Sequence, residues 1–241
     1  MNSKPKQYLQ GYTEFYKLKF KVTPDVLIPR PETELLVDEV LNFLQTTNLP
    51  AGRQGYKLPT ILDLGTGCGN IAISIAKNAS NVKIMATDIS AKALKVARQN
   101  AKLHGVLDKI TFLHSNLLSS FNLSVVRSHT KIVVTNLPYI PTQRIPYLDP
   151  LVKDFEPHIA LDGGNDGFKL YRKLFRQISS LQTGFVIEST HRVWQPKLIV
   201  CEIDYTQGEL SAVEAQKYFP DAQIEVKTDL AHKQRILLVK F

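Results

Sequence analysis

Thr60-Ile61-Leu62-Asp63-Leu64-Gly65-Thr66-Gly67-Cys68-Gly69-Asn70-Ile71-Ala72 decides the fold of this chain. A strand-length apolar run, Thr60 to Leu64, feeds straight into Gly-x-Gly-x-Gly and then into an apolar helix over Asn70 to Asn78. Glycines at such a junction let a ligand approach the backbone closely, and the helix N-terminus behind them offers free amides. Outward from this unit the pattern repeats. Val82 to Thr87 reads as strand, Ala91 to His104 as helix, and Ile110 to Leu113 and Lys131 to Thr135 as strands. A helix over Phe168 to Leu181, a strand over Lys197 to Ile203, a helix over Glu209 to Tyr218 and two closing strands, Gln223 to Lys227 and Arg235 to Lys240, complete it. Strand and helix in alternation argue an α/β fold: a doubly wound, mostly parallel, Rossmann-like sheet with right-handed crossovers. Ligands bind such a sheet at the carboxyl ends of its strands.

Before this region, Tyr12, Phe15, Tyr16, Leu18, Phe20 and Val22 alternate in part and lead through Thr23-Pro24-Asp25 to Val26-Leu27-Ile28. That predicts an N-terminal β-hairpin turning at Pro24-Asp25. Pro31, Glu32 and Glu34 suit the first turn of a helix running to about Gln45, and residues 46–59 are loop by composition. The proline- and glycine-rich stretch from Pro141 to Asp166 reads as a long functional loop. The division is therefore an N-terminal segment with its hairpin, 1–29, and the α/β domain, 30–241.

With 241 residues and 44% hydrophobic content the chain can bury a large core. No run approaches about eighteen consecutive apolar residues, and Met1-Asn2-Ser3-Lys4-Pro5-Lys6 lacks a signal-peptide core, so no membrane association and a cytoplasmic location are expected. Cys68 and Cys201 have no metal-ligand spacing and read as reduced thiols. The six histidines show no ligand pairing either, and no metal is expected. The formal charge of +8 suits an anionic partner or a generally basic solvated surface alike, since the basic residues are scattered.

A second informative stretch is Ile132-Val133-Val134-Thr135-Asn136-Leu137-Pro138-Tyr139, a buried strand that stops on an amide, a proline and a ring. Pro138 biases Leu137 toward extended backbone and leaves its carbonyl available. The Asn136 side-chain oxygen and that carbonyl can both accept from one NH2 group, while Tyr139 offers a flat face to a planar group. Taken alone, the four residues read first as an ordinary Asn-x-Pro turn.

A dinucleotide fingerprint would place its third glycine one residue later. The spacing here, with Asp63 before it, resembles motif I of S-adenosylmethionine-dependent methyltransferases. Asp88, at the end of the next strand, can accept both hydroxyls of a ribose, although a helix N-cap is its other reading and Ser90 fills that role at least as well. Asn116 and Leu117, after the third strand, stand where such folds read adenine; a turn asparagine explains Asn116 equally.

Four segments taken together resemble the HemK-type glutamine methyltransferases that modify class I peptide chain release factors. They are Val22 to Glu34, the Asp63 to Asn70 loop, Asn136 to Tyr139, and Glu156-Pro157 through Gly167. Glu202-Ile203, Gln207 and Asp229-Leu230-Ala231 with Arg235 continue the likeness to the C-terminus. The resemblance implies a methyltransferase catalytic domain that transfers methyl from S-adenosyl-L-methionine, leaving S-adenosyl-L-homocysteine, to the side-chain amide nitrogen of the glutamine in a Gly-Gly-Gln motif. It implies cofactor binding by Gly65, Thr66, Gly67, Cys68, Gly69, Asp88, Asn116, Leu117 and Asn136. It further implies catalysis and substrate binding by Asn136, Leu137, Pro138 and Tyr139, with Arg30 and Glu32 against the substrate pocket, and no requirement for direct nucleic-acid binding. Departures are Leu137, where the family usually has proline, an N-terminal helical domain that this chain is expected largely to lack, and additional sequence from Thr183 to Trp194. Rival readings are an N6-adenine methyltransferase of RNA or DNA, because the clamp also fits an exocyclic amine, and a glutamine methyltransferase of a ribosomal protein.

Overall fold

The computed structural model describes residues 4–47, 58–120, 130–183 and 194–241. In chain order these form α1 (Lys6–Gln10), β1 (Tyr12–Phe15), β2 (Leu18–Lys21), α2 (Glu34–Thr46), β3 (Thr60–Leu64), α3 (Asn70–Asn78), β4 (Lys83–Asp88), α4 (Ala91–Leu103) and β5 (Ile110–His114). There follow β6 (Thr130–Thr135), α5 (Pro150–Lys153), α6 (Lys169–Thr183), β7 (Leu198–Glu202), α7 (Gly208–Tyr218), β8 (Gln223–Thr228) and β9 (Gln234–Lys240). Seven strands make one sheet in the order β5-β4-β3-β6-β7-β9-β8, and β1 with β2 makes a separate hairpin. The pairs from β5 to β7 are parallel, and those of β9 with β7 and β8 are antiparallel. The fold is the expected doubly wound, mostly parallel sheet.

The period-2 alternation of the strands sorts their side chains into two cores. Ile61, Ile84, Ile132, Val134 and Val200 join the hairpin, α2, α3 and α4 on one face. Leu62, Leu64, Val133, Ile199 and Cys201 join α6 and α7 on the other. Covering both faces is why the central strands read as continuous apolar runs; each fully buried Leu, Ile or Val contributes about 1.5–3 kcal/mol.

The hairpin turn is a correction. Phe15 pairs with Leu18, so the chain reverses at Tyr16-Lys17, not at Pro24-Asp25. Tyr16 and Lys17 both have positive φ, 49° and 59°, a conformation that usually calls for Asn or Gly. Tertiary bonds impose it: the Tyr16 N–H donates to Glu34 Oε1 at 2.6 Å and its hydroxyl to Asp38 at 2.8 Å. Pro24 and Asp25 do form a turn, closed by the Val26 N–H on the Thr23 carbonyl at 3.0 Å, but Val26 to Ile28 pair with no strand among the described residues. Pro31 opens a 3-10 turn, Pro31–Thr33, before α2 begins at Glu34. The stretch expected as one long loop after the clamp holds a 3-10 turn at Thr142–Tyr147, α5, and another 3-10 turn at His158–Ala160. Most of the additional segment, residues 184–193, lies outside the described residues. Among the described residues no helix is long and apolar enough to cross a membrane.

Asn100, fully buried on α4, binds the hairpin to the glycine loop. Its Nδ2 donates to the Lys21 and Cys68 carbonyls at 3.0 and 2.9 Å, and its Oδ1 accepts the Lys21 N–H at 2.8 Å. Asn100→Ala leaves three backbone groups without these partners, and we expect it to lower unfolding free energy by about 2–4 kcal/mol, read by urea titration. A loss under about 1 kcal/mol would contradict this account of the hairpin's attachment.

Candidate active site

β3 and β6 are neighbours, with Leu64 beside Thr135, so the glycine loop and the Asn136 clamp leave the sheet side by side. The strand order reverses here, β4 and β5 lying to one side and β6 and β7 to the other, which is where open α/β sheets form a ligand crevice. The Thr135 hydroxyl donates to the Leu64 carbonyl at 2.6 Å and fixes the spacing of the two exits. A cleft of about 1330 Å³ opens above them. Of the residues singled out in the sequence, Gly65, Thr66, Gly67, Cys68, Asp88, Asn116, Leu117, Asn136, Leu137, Pro138 and Arg30 line it, whereas Gly69, Glu32 and Tyr139 do not.

The glycine loop is a cradle. At Gly67, with φ +56°, a Cβ would meet nothing within 4 Å, so the backbone there is open to a ligand. Gly69 answers to packing instead, since a Cβ would come within 2.9 Å of Ile73. Asp63 holds the loop from below: one carboxylate oxygen accepts the Thr66 hydroxyl at 2.6 Å and the Ala72 N–H at 3.2 Å. Burial pushes its carboxyl up to about 7 despite both bonds. Cys68 is a buried thiol pushed up to about 12 by burial, so its sulfur stays protonated and leaves the backbone as what it offers the cleft.

Asp88 accepts the Gly67 N–H at 2.9 Å on one oxygen and the Ser90 N–H at 2.8 Å on the other. Each oxygen keeps a lone pair in the cleft, enough for a diol. Burial raises its pKa above the ordinary carboxylate value, against those two N–H bonds. Ser90, not Asp88, caps α4, accepting the Ala93 N–H at 3.2 Å. The Asn116 Oδ1 is taken by Lys173 Nζ at 2.8 Å, so Asn116 presents its NH2 end.

In the clamp, the Asn136 Nδ2 donates to the Thr33 hydroxyl at 3.2 Å, leaving Oδ1 without a donor among the described residues. The Tyr171 hydroxyl accepts the Leu137 N–H at 3.2 Å and gives its single proton to the Glu202 carbonyl, closer to it than the Leu137 carbonyl at 3.5 Å. The Leu137 carbonyl thus keeps its acceptor capacity, and Leu137's side chain packs beside Gly65. Tyr139 turns its hydroxyl inward to Glu202 Oε1 at 2.9 Å. Arg30 is paired with the buried Glu156 and donates to the Ile28 carbonyl at 3.0 Å, so it ties the 28–30 segment to the wall of the cleft. Behind the clamp, the 163–167 loop packs on its backbone; a Cβ on Gly163 would lie 2.7 Å from the Pro138 carbonyl oxygen.

Sequence reasoning did not single out Thr33, Tyr171 or Lys173 for roles. Each acts across a large sequence separation, 103 residues for Thr33 to Asn136, and no local pattern marks such a pair.

Strand order, glycine cradle and carboxylate-ended β4 define an S-adenosylmethionine-dependent methyltransferase fold, and residues 41–147 match the family model "Methyltransferase small domain". The solved ribosomal protein L11 methylase of Lactobacillus delbrueckii subsp. bulgaricus superposes with TM-score 0.56 at 18% identity, over 91% of this chain and 83% of that one. The human Mettl16 catalytic domain in complex with the MAT2A 3′UTR hairpin 6 superposes with TM-score 0.65 at 13% identity, over 94% and 76%. In sequence, the release factor glutamine methyltransferase of Bacillus cereus is 36% identical over 98% of this chain and 76% of its own length. That of Thermodesulfovibrio yellowstonii is 34% identical over 100% and 77%. The chain belongs to the release factor glutamine methyltransferase family.

Proposed function

We propose that the chain methylates the side-chain amide nitrogen of the glutamine in the Gly-Gly-Gln motif of class I peptide chain release factors. The observation that carries this reading is the pair of unspent acceptors, Asn136 Oδ1 and the Leu137 carbonyl, set beside the glycine cradle. A carboxamide nitrogen is a weak nucleophile because its lone pair is delocalised into the carbonyl. Two acceptors on its N–H groups return electron density to nitrogen, stabilise the positive charge that develops there, and aim it. S-adenosylmethionine, when bound, supplies the electrophilic methyl group. In this reading the Gly65 to Cys68 backbone and Asp88 hold it, Asp88 by the ribose hydroxyls, while the Asn116 NH2 faces the adenine ring nitrogens beside Leu117. Pro138 and the Arg30–Glu156 tie shape the entrance for the glutamine. Leu137 in place of the family's usual proline is compatible, because the acceptor is a backbone carbonyl. The reaction belongs to the cytoplasm, where release factors work, and needs no direct contact with nucleic acid.

Transfer of labelled methyl to a release factor, to the same factor with the motif glutamine replaced by alanine, to a ribosomal protein fraction and to RNA tests the reading. Label on the intact release factor alone is the expected result. Label on RNA or a ribosomal protein instead would overturn it.

A further inference from the structure

An amide can present either end to a cleft. Had Asn136 faced the substrate with its NH2, donor would oppose donor and the clamp would not hold an amide nitrogen. The group that settles the orientation is Thr33, 2% exposed in the 3-10 turn before α2, which takes the Asn136 Nδ2–H on its hydroxyl oxygen. A hydroxyl has one proton, so the direction in which Thr33 donates decides which end of Asn136 it accepts. Beside Thr33 lies Glu202, fully buried at the end of β7. One Glu202 oxygen accepts the Tyr139 hydroxyl, and Oε2 has no hydrogen-bond partner among the described residues.

We propose that Thr33 and Glu202 are positioning residues: the Glu202 carboxylate draws the Thr33 proton to itself, leaving the Thr33 oxygen to accept from Asn136 Nδ2 and turning Asn136 Oδ1 toward the substrate amide. This deepens the reading of Asn136 as the glutamine's acceptor and rests on it. The groups facing Glu202 are Thr33 and Glu32 from the turn before α2, Tyr139 from the loop after β6 and Arg235 from β9, with the Tyr171 hydroxyl of α6 on its backbone carbonyl. Burial pushes the Glu202 carboxyl up to about 7, and the Glu32 charge adds to this, against Thr33, Tyr139 and Arg235. Once protonated, Glu202 donates toward Thr33. The Thr33 proton then turns to Asn136, selects its oxygen, and puts the NH2 end in the cleft. Turnover therefore rises with pH through about 7 as Glu202 ionises.

The test is steady-state kinetics with a release factor, paired with nuclear magnetic resonance of the Asn136 side-chain amide in the full chain. Thr33→Val keeps the shape and removes the hydroxyl; kcat falls about 10- to 100-fold with KM for the release factor nearly unchanged, and Thr33→Ser restores it. In Glu202→Gln the Tyr139 hydroxyl claims the amide oxygen and points the new NH2 at Thr33, so kcat falls likewise and its rise with pH disappears. In the wild type the proton of Asn136 Nδ2 that is bonded to Thr33 is shifted downfield, so that the pair shows a resonance difference in excess of that of an unbonded primary amide, and this excess difference is lost in Thr33→Val. Wild-type kcat in Thr33→Val overturns the proposal, as does a Thr33→Ser variant as impaired as Thr33→Val, or a pH profile unchanged in Glu202→Gln. If the wild type transfers nothing to the release factor while the excess difference and its loss are seen, the substrate reading fails and the orientation of Asn136 by Thr33 stands. Transfer without that excess overturns the orientation alone.

Discussion

Asn136→Ala keeps the fold and loses turnover: we expect kcat with a release factor to fall about 100- to 1000-fold, the range seen when one preorganised group at a developing charge is removed. The side chain is half-buried and makes a single hydrogen bond among the described residues, to Thr33. Truncation thus costs about 1 kcal/mol of stability, or about 2–4 °C of midpoint in a chain of this size. The effect on rate is larger because the Leu137 carbonyl alone accepts one of two N–H groups and leaves the amide free to rotate out of line. Asn136→Gln makes the same point differently. It retains the acceptor and displaces it by one methylene, and a misplacement of about 1 Å can cost about 100-fold. Both variants are read by single-turnover methyl transfer alongside calorimetric melting. Wild-type turnover in Asn136→Ala would remove the clamp from the mechanism.

The fold was legible because several levels agreed at each element. Thr60 to Leu64 is apolar, short and followed by glycines, and it is a buried strand at the sheet's centre. Ser90 stood ahead of a helical pattern and caps α4. The expected cofactor and clamp segments came together because β3 and β6 are adjacent, and that adjacency follows from the doubly wound topology they imply. Legibility failed where a local signal was overridden from a distance. Tyr16 and Lys17 carry no turn chemistry, and their left-handed backbone is imposed by Glu34 and Asp38 on α2. Pro24-Asp25 carries the strongest turn chemistry in the region and turns a connection that is not a hairpin. Tyr139 offered a flat face in sequence, yet a buried phenol needs a hydrogen-bond partner, and Glu202 on β7, 63 residues away, supplies it. Arg30 was expected against the substrate pocket, and the partner that meets its charge, Glu156, lies 126 residues away where no local pattern marks it.

Gly167→Ala carries the other large expected effect, because it attacks the clamp from behind. Gly167 has φ +77°, where an L-residue costs about 1–2 kcal/mol for backbone alone. Its missing Cβ is the larger matter. A methyl group there would press on the Tyr139 carbonyl oxygen and on the Gln207 amide nitrogen. These two atoms are themselves bonded, Gln207 Nε2 donating to the Tyr139 carbonyl at 3.0 Å and also to the Asp166 carbonyl at 3.0 Å. The Gln207 oxygen is engaged as well, accepting the Asp204 N–H at 3.1 Å, so the amide cannot swing aside without leaving buried groups unpaired. The backbone at Tyr139 must therefore yield, and with it Pro138 and the Leu137 carbonyl. We expect a loss of about 3 kcal/mol or more, some 6–12 °C in melting, together with a fall of about 100-fold in kcat. Gly105→Ala is the control, for Gly105 also has positive φ, +65°, but a Cβ there meets nothing within 4 Å. It should lose only the backbone cost, about 1–2 kcal/mol, and keep turnover. Equal losses in the two variants would mean that left-handed backbone alone requires the glycine at 167. A larger loss at 167, joined to lost turnover, ties that glycine to the placement of the clamp, because the atoms a Cβ would meet first there are those of Tyr139 and Gln207.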